Sequence, residues 1–411
     1  MTYDTDILII GGGPTGLALA CRLAQLGVHS IVCEQSEAIA WQAPVADGRE
    51  IALTHQSVDI LERLGVWSHI NSSSVSPLVS AKVLNGDIPF ALDFSSNQSN
   101  TPLGYLVSNH HIRQAAYIEA QRSPLIQLRP NTKIVRTYTD AQAGRVALAE
   151  GTTLSAKLVI AADSRFSTSR QQMGIPTDLL DFGRSVILAR VQHTQSHRAV
   201  AYESFGYNAT LALLPLAGED GCLSSAVITL PTNQAHTILN FSPTDFAQYV
   251  QKESKGRLGE IELLSERHIY PLIATYAQRF YAQRFALVGD AAVGMHPVTA
   301  HGYNFGLYSI QTLGDLIKQA CQQHQDIGNL NLLKTYSQIH RQKTWAIYQG
   351  TNALVKLFTN NHLPAKIIRH GVLRMANQLP MIKNWVTKQL MNKPLELRKT
   401  ASAPNPVNIT R

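Results

Sequence analysis

D-I-L-I-I-G-G-G-P-T-G, Asp6 to Gly16, decides how the rest of the chain is read. Asp6–Ile10 is an apolar run of the length of a buried strand. Gly11, Gly13 and Gly16 follow it as G-x-G-x-x-G. Leu17 to Leu26 then shows apolar residues at helical spacing and stops at Gly27, and Ser30–Cys33 predicts a second strand ending at Glu34. The logic is that of a dinucleotide site. The first glycine makes the turn, the second admits a pyrophosphate and the third packs helix on strand. Glu34 lies 18 residues past Gly16, where an acid takes ribose hydroxyls. The motif alone leaves FAD and NAD open.

Two later stretches repeat the strand-then-acid pattern. Lys157–Ser164, K-L-V-I-A-A-D-S, predicts a buried strand ending at Asp163. Arg284–Gly306, R-F-A-L-V-G-D-A-A-V-G-M-H-P-V-T-A-H-G-Y-N-F-G, predicts a strand, an acidic turn at Asp290, a loop carrying His296, Pro297 and His301, and a helix from about Tyr303 to Gln323. A helix start offers free N–H groups and about half a positive charge, which suits an anionic or electron-accepting group. Between these signals, residues 76–107 alternate in short strands. The block 184–268 predicts strands at Ser185–Val191, Ala199–Phe205, Ala209–Leu216, Ser224–Leu230 and Ile261–Ile269, with helices at Pro231–Phe241 and Pro243–Lys252. Nucleotide-type signals stand on both sides of this block, so it is expected to be an insertion.

The expected fold class is therefore α/β: a Rossmann-like dinucleotide-binding domain over 1–75, 102–180 and 270–330, with an inserted, mostly antiparallel second domain over 76–101 and 181–269. A basic helical C-terminal region covers 331–411. Helices are expected at about Thr54–Leu64, with Arg49 on the loop ahead, and around Arg113, with Asn109 as N-cap.

Composition narrows the classes further. The chain has 411 residues, which suits two domains, and 45% hydrophobic content supports a sizeable core. Leu330–Arg411 carries thirteen Lys and Arg against one acid, Glu396; this +12 exceeds the +8 of the whole chain, so residues 1–329 carry −4. No nucleic-acid motif accompanies the basic tail, so a nucleic-acid protein is not expected. An anionic membrane surface or an acidic partner fits it better. Past Pro364, Ile368, Val372, Met375 and Leu379 share one helical face, with Lys366, Arg369, His370 and Arg374 roughly opposite. No apolar run approaches about 18 residues, and the acidic start lacks a signal-peptide pattern. Cys21, Cys33, Cys222 and Cys321 make no C-x-x-C pair, which argues against zinc and disulfides and fits a cytoplasmic setting.

Gly11/Gly13/Gly16 with Glu34, A-A-D-S at Ala161–Ser164, G-D-A-A at Gly289–Ala292, His296-Pro297 and G-Y-N-F-G at Gly302–Gly306 together resemble the single-component FAD-dependent aromatic hydroxylases. Within them the chain is similar to the ubiquinone-biosynthesis hydroxylases. D-G-R-E-I-A-L-T and A-D-S-R-F-S look most like the UbiM-type branch, named for 5-demethoxyubiquinol hydroxylation. The resemblance spans about residues 4–375. It implies that Gly11, Gly13, Gly16 and Glu34 hold the ADP half of FAD. Arg49 and Arg113 then meet its phosphates or ring surroundings, Val135 meets the adenine through its backbone, and Asp163 serves both FAD and a pyridine nucleotide. Asp290 holds the ribityl chain, Pro297 lies by the flavin ring, and the backbone of Gly302, Tyr303 and Asn304 faces N1 and O2.

Two departures stand out. The family's D-G is Asp163-Ser164, and its G-Q-G is Ala300-His301-Gly302. The implied reaction is aromatic hydroxylation of a polyprenylated phenol or quinol with O2, NADH or NADPH being the electron donor. His301 and His296 are the acid–base candidates because a histidine's ordinary pKa is near neutral. No base stands out among Tyr202, Tyr207 and His193 of the β-rich block. The apolar substrate implies peripheral contact with the inner face of the cell membrane through the basic tail, or a ubiquinone-biosynthesis assembly. Rival readings are a hydroxylase of a soluble phenol, a flavin reductase and a non-catalytic flavin-fold lipid-binding scaffold. A halogenase would carry W-x-W-x-I-P, and none of Trp41, Trp67, Trp345 or Trp385 lies in one.

Overall fold

A computed structural model describes residues 2–85, 91–95, 101–206, 209–218, 220–296 and 301–359. The basic segment past Pro364, Tyr207 and Pro297 fall outside the described residues.

The first sheet is built around Thr5–Ile10, which pairs in parallel with Ser30–Cys33 on one side and Thr153–Ala161 on the other. Phe285–Leu287 adds in parallel beside Thr153–Ala161, and Ile126–Arg129 beside Ser30–Cys33. A strand from late in the chain is thus two places from the first. Ile7, Leu8, Ile9, Val159 and Ile160 are fully buried, as strands covered on both faces require. Helices Pro14–Ala24 and Gly302–Gln322 pack against each other over this sheet through Leu17, Ile310 and Leu313. Ile134–Thr139 and Gly144–Leu148 extend it as an antiparallel hairpin.

The second sheet runs in the order Val293–Gly294, His268–Ala277, Thr177–His193, Leu223–Pro231, Thr210–Pro215, Val200–Phe205, Ser80–Asn85, Ala91–Ser95. Its pairs are antiparallel except Val200–Phe205 with Ser80–Asn85. Helices Thr232–Leu239 and Pro243–Glu253 cover one face through Phe246, Val250, Leu211, Leu213 and Ile228. The other face carries Leu188 and Arg190, and Arg190 pairs with Glu50 (2.9 Å). Three further strands, Glu50–Leu53, Gly104–Ser108 and Val75–Leu78, form a small sheet.

The expected and observed elements differ where local patterns mislead. Ser185–Val191 lies in the second half of a 17-residue strand, Thr177–His193, whose register shifts between Asp181 and Ser185. Gly183, at φ +62°, makes that irregularity and interrupts the alternation. Ile261–Ile269 is two strands, Ile261–Leu263 and His268–Ala277, each pairing with a different part of Thr177–His193. Asn109 is not the cap of its helix. Ser108 holds the extended cap position and Asn109–Gln121 is helical, with the Asn109 amide used elsewhere. The C-terminal helix, Leu330–Thr359, docks through Tyr336, whose hydroxyl donates to the Leu287 carbonyl (2.6 Å), and Tyr276, paired with Thr344 (3.0 Å).

Candidate active site

Parallel pairing sets Ile10 level with Cys33 and Ala161, and Ala161 level with Leu287. The residues that follow each strand therefore meet along one edge. Gly11, Glu34, Asp163, and Gly289 with Asp290 gather at the carboxyl ends of four neighbouring strands, where open α/β sheets bind ligands.

At the nucleotide end, each glycine has its own reason. Gly11 has φ +103°, and a Cβ there would lie 2.5 Å from the Ala162 carbonyl oxygen. A Cβ on Gly16 would lie 2.0 Å from the Gly11 oxygen. Gly13 is the opposite case: a Cβ would meet nothing within 4 Å, so the chain leaves open space there, ahead of a helix start that no side chain caps. Glu34 accepts the backbone N–H of Gly12 (2.8 Å) and of Ser36 (2.9 Å) on its two oxygens. Each oxygen keeps a lone pair able to accept a further hydrogen bond. Trp41 was not legible as part of this site. Its indole N–H donates to the Gly12 carbonyl (2.7 Å), it stacks on Tyr117 at 5.8 Å, and it occupies the space a Gly12 side chain would need. Arg113 braces the same turn by donating to the Ala40 carbonyl (2.8 Å). Val135 lies farther out on its strand, half-exposed, and its carbonyl already accepts from the Gln172 amide (3.0 Å).

The second half centres on Asp290. Arg165 pairs with it (3.0 Å) and also donates to the Ile273 carbonyl (2.8 Å). Arg170, buried, donates to the carbonyls of Ala291 (2.9 Å) and Arg165 (3.1 Å). Burial lowers the Arg170 pKa, opposed by the charge of Asp163. Burial raises the Asp163 pKa, opposed by hydrogen bonds from Ser167 and Ser169. The stretch Asp163–Arg170 is thereby tied to Gly289–Ala291 by two arginines that the sequence reading passed over, although both lie in or beside A-D-S-R-F-S. Ser164 sits at φ +131°, a region that favours glycine.

The helix start at Gly302 is clamped from the side. The Asn304 amide donates to the Ala52 carbonyl (2.8 Å) and accepts the Thr54 N–H (3.1 Å). Thr54 also caps its own helix through Ser57 N–H and contacts the Tyr308 hydroxyl at 2.8 Å. No side chain caps the Gly302 helix; His301 precedes it, buried, with its ring 5.6 Å from that of Phe305. The Tyr303 hydroxyl is buried, and burial pushes its pKa up. His296 is buried and meets Phe182 edge-on at 5.0 Å. Burial, reinforced by Arg165 and Arg184, pushes its pKa down to about 4, so its imidazole is neutral at physiological pH.

Arg49 lies under a fourth wall. Its guanidinium pairs with Asp47 and sits 5.7 Å from the centre of the Tyr270 ring, while Tyr270 donates to the Asp47 carbonyl (2.9 Å) and Asn109 to the Asp47 carboxylate (2.7 Å). Burial works against the Arg49 charge, but the Asp47 pair outweighs it and the pKa is raised. His193 is structural: its ring nitrogens contact the Gln195 carbonyl (2.8 Å) and the Ser224 hydroxyl (2.9 Å).

These features fit FAD. Two helix starts without side-chain caps face one edge, one beside an open glycine and a tethered carboxylate, the other beside Asp290. A pyrophosphate and an electron-rich ring edge each need such donors. Among the described residues there is no cluster of metal-binding side chains. No described helix is long and apolar enough to cross a membrane.

Comparison with known proteins agrees. The family described as "FAD binding domain" matches residues 4–351. The chain is 45% identical over 395 residues to "Ubiquinone hydroxylase UbiM" of Neisseria meningitidis, covering 95% of this chain and 85% of that protein. It is 32% identical over 386 residues to "Ubiquinone hydroxylase UbiL" of Rhodospirillum rubrum, covering 94% and 89%. Among solved structures, p-nitrophenol 4-monooxygenase PnpA from Pseudomonas putida superposes with a TM-score of 0.75 at 17% identity, over 96% of this chain and 99% of that one, a likeness of fold. The chain belongs to the FAD-binding-domain family and, within it, to the FAD-dependent ubiquinone-hydroxylase group of monooxygenases.

Proposed function

We propose that the protein hydroxylates the aromatic ring of a polyprenylated phenol or quinol intermediate of ubiquinone biosynthesis, with FAD, O2 and NADH or NADPH. The observation that carries this reading is the single edge on which both uncapped helix starts, Glu34 and Asp290 converge. Residues 1–75, 102–180 and 270–330 are assigned to FAD, and 76–101 and 181–269 to the substrate.

Bound FAD supplies the redox chemistry, drawing electrons from the nicotinamide donor and activating O2. The chain supplies position, charge and shelter. Gly13 and the Pro14 helix start would take the pyrophosphate, Glu34 the adenosine ribose, Asp290 the ribityl chain, and Val135 the adenine; Arg49 and Arg113 would stand near the phosphates and ring. The N–H groups from Gly302 to Asn304 would face the ring edge where negative charge gathers, an interaction of about 1–2 kcal/mol in a partly buried site. The Asn304 clamp keeps that helix start from retreating. Phe182 and His296 close one side against water, and Pro297 follows His296 in the sequence. For proton movement His301 is the stronger candidate, because His296 is held neutral. Replacing His301 by Gln tests it: unchanged hydroxylation rate and pH profile would remove it from the mechanism.

The basic C-terminal region is assigned to the inner membrane surface, where the apolar substrate resides. Liposome sedimentation of a protein ending near Pro364 tests that assignment, and equal binding by the truncated form would sink it. For the reaction itself, lipid-extract mass spectrometry of a deletion strain identifies the accumulating intermediate. A prenylated quinone precursor lacking one hydroxyl is expected; an unchanged quinone profile would refute the reading.

A further inference from the structure

Glu203 is an acid within a row of mostly apolar side chains. It lies on Val200–Phe205, where alternation sends Tyr202 to the helix-covered face beside Leu211 and Leu213. Glu203 therefore points to the other face, with its register partners Val83 and Ala212. Carried across the sheet, the register gives one row: Leu92, Val83, Glu203, Ala212, Val227, Leu188. Every member except Glu203 is apolar until the row reaches His268, the partner of Leu188 on the next strand.

The row has two ends. On one, Phe205 and Val83 join Phe94, Leu103 and Leu357 of the C-terminal helix in a cluster. On the other, Val227 and Leu188 join Phe182 and Tyr270. Phe182 contacts His296, and Tyr270 reaches the Asp47 loop under Arg49. The row thus runs from the C-terminal helix to the loop before Gly302. Strands lie about 4.8 Å apart, so Glu203 stands about 10 Å from Val227, roughly the span of a substituted ring.

A carboxyl in such a row costs stability and gains nothing structural. No opposite charge among the described residues offsets its burial, which pushes its pKa up to about 8. Its carboxyl oxygens accept a hydrogen bond from a phenolic hydroxyl, which an aryl ether cannot give. It is not sealed from solvent, as a residue lining a ligand site must not be.

We propose that Glu203 recognises a ring oxygen of the substrate, its carboxyl hydrogen-bonding the hydroxyl while the apolar row takes the prenyl chain. This rests on the reading above of a prenylated phenol or quinol as substrate. The test uses FAD-loaded protein, with geranylated hydroquinone and its dimethyl ether as probes and flavin fluorescence as the binding signal. Glu203→Leu is expected to weaken the hydroquinone about tenfold and leave the ether unchanged; Glu203→Gln, which keeps a donor and an acceptor, should stay within about threefold. FAD content should not change in either. Equal weakening for both probes, or none for either, overturns the role of Glu203. A wild-type protein that binds neither probe overturns the substrate reading itself.

Discussion

Replacing Ser164 by glycine should stabilise the protein. Ser164 holds φ +131°, and a side chain in that region costs about 1–3 kcal/mol. The serine is exposed, and its backbone carbonyl, not its hydroxyl, accepts the Ser167 N–H (3.1 Å). Glycine therefore loses no contact. It does free the unfolded chain, a cost of about 0.4–1 kcal/mol. The balance is a gain of about 0.5–2 kcal/mol. Ser164→Ala is the control, because it removes the hydroxyl and keeps the Cβ; it should be neutral within about 0.5 kcal/mol. Urea denaturation of the FAD-loaded forms, at equal m-value, reads the difference as a shift in midpoint. If the glycine variant is no more stable than the alanine variant, the backbone at Ser164 is not strained and the reasoning fails.

Other expectations follow from named contacts. His296 and His340, pushed down to about 4 and about 3, bind fewer protons folded than unfolded, so stability is full above about pH 6.5 and falls as pH drops toward 4. His296 alone contributes up to roughly 3 kcal/mol to that loss, and His296→Gln should flatten the acid limb of a stability–pH curve. Gly12→Ala should cost about 1–3 kcal/mol and weaken FAD retention, because its Cβ would lie 2.3 Å from the Trp41 ring; adding Trp41→Phe should restore part of the loss in a thermal melt. Asn304→Ala leaves the Ala52 carbonyl and Thr54 N–H unpaired in a site only 1% exposed, so about 2–4 kcal/mol of stability should go. Its FAD dissociation constant, measured by flavin fluorescence, should rise; an unchanged value would separate the clamp from flavin binding.

The parts of the site that could be read from sequence are those where chemistry and local geometry coincide. Gly11, Gly13 and Gly16 are needed by one tight turn, and the acid at a strand end follows within one βαβ unit. The helix after Gly302 was legible because twenty residues of periodic pattern follow a loop rich in turn formers. Elements that depend on distant partners were not. Asn109 looks like a cap, but Asp47, 62 positions away, takes its amide. Trp41 carries no local signal, since its role is set by Gly12 and Tyr117 across a fold that does not yet exist in a linear reading. The bulge near Gly183 similarly hides the first half of a long strand, because its pairing is fixed by His268–Ala277 rather than by its own alternation.

The same reasoning explains why two arginines matter more than their motif suggests. The acid of G-D-A-A faces the edge of the sheet with a side chain more than a third exposed. A carboxylate there would wander without a partner. Arg165 gives it one, and Arg165 is itself fixed because its second nitrogen holds the Ile273 carbonyl and its own carbonyl is held by Arg170. Arg170 in turn spans to Ala291, one residue past Asp290. Two segments more than a hundred residues apart are thus locked by hydrogen bonds to backbone oxygens, which fix position more tightly than an exposed ion pair can. Replacing Arg170 by Met removes the one guanidinium nitrogen that donates to both carbonyls. FAD affinity should then fall while Asp290 itself is intact. Equal affinity in that variant would mean that Arg165 alone holds the acid, and that the link between the two segments serves stability rather than the cofactor.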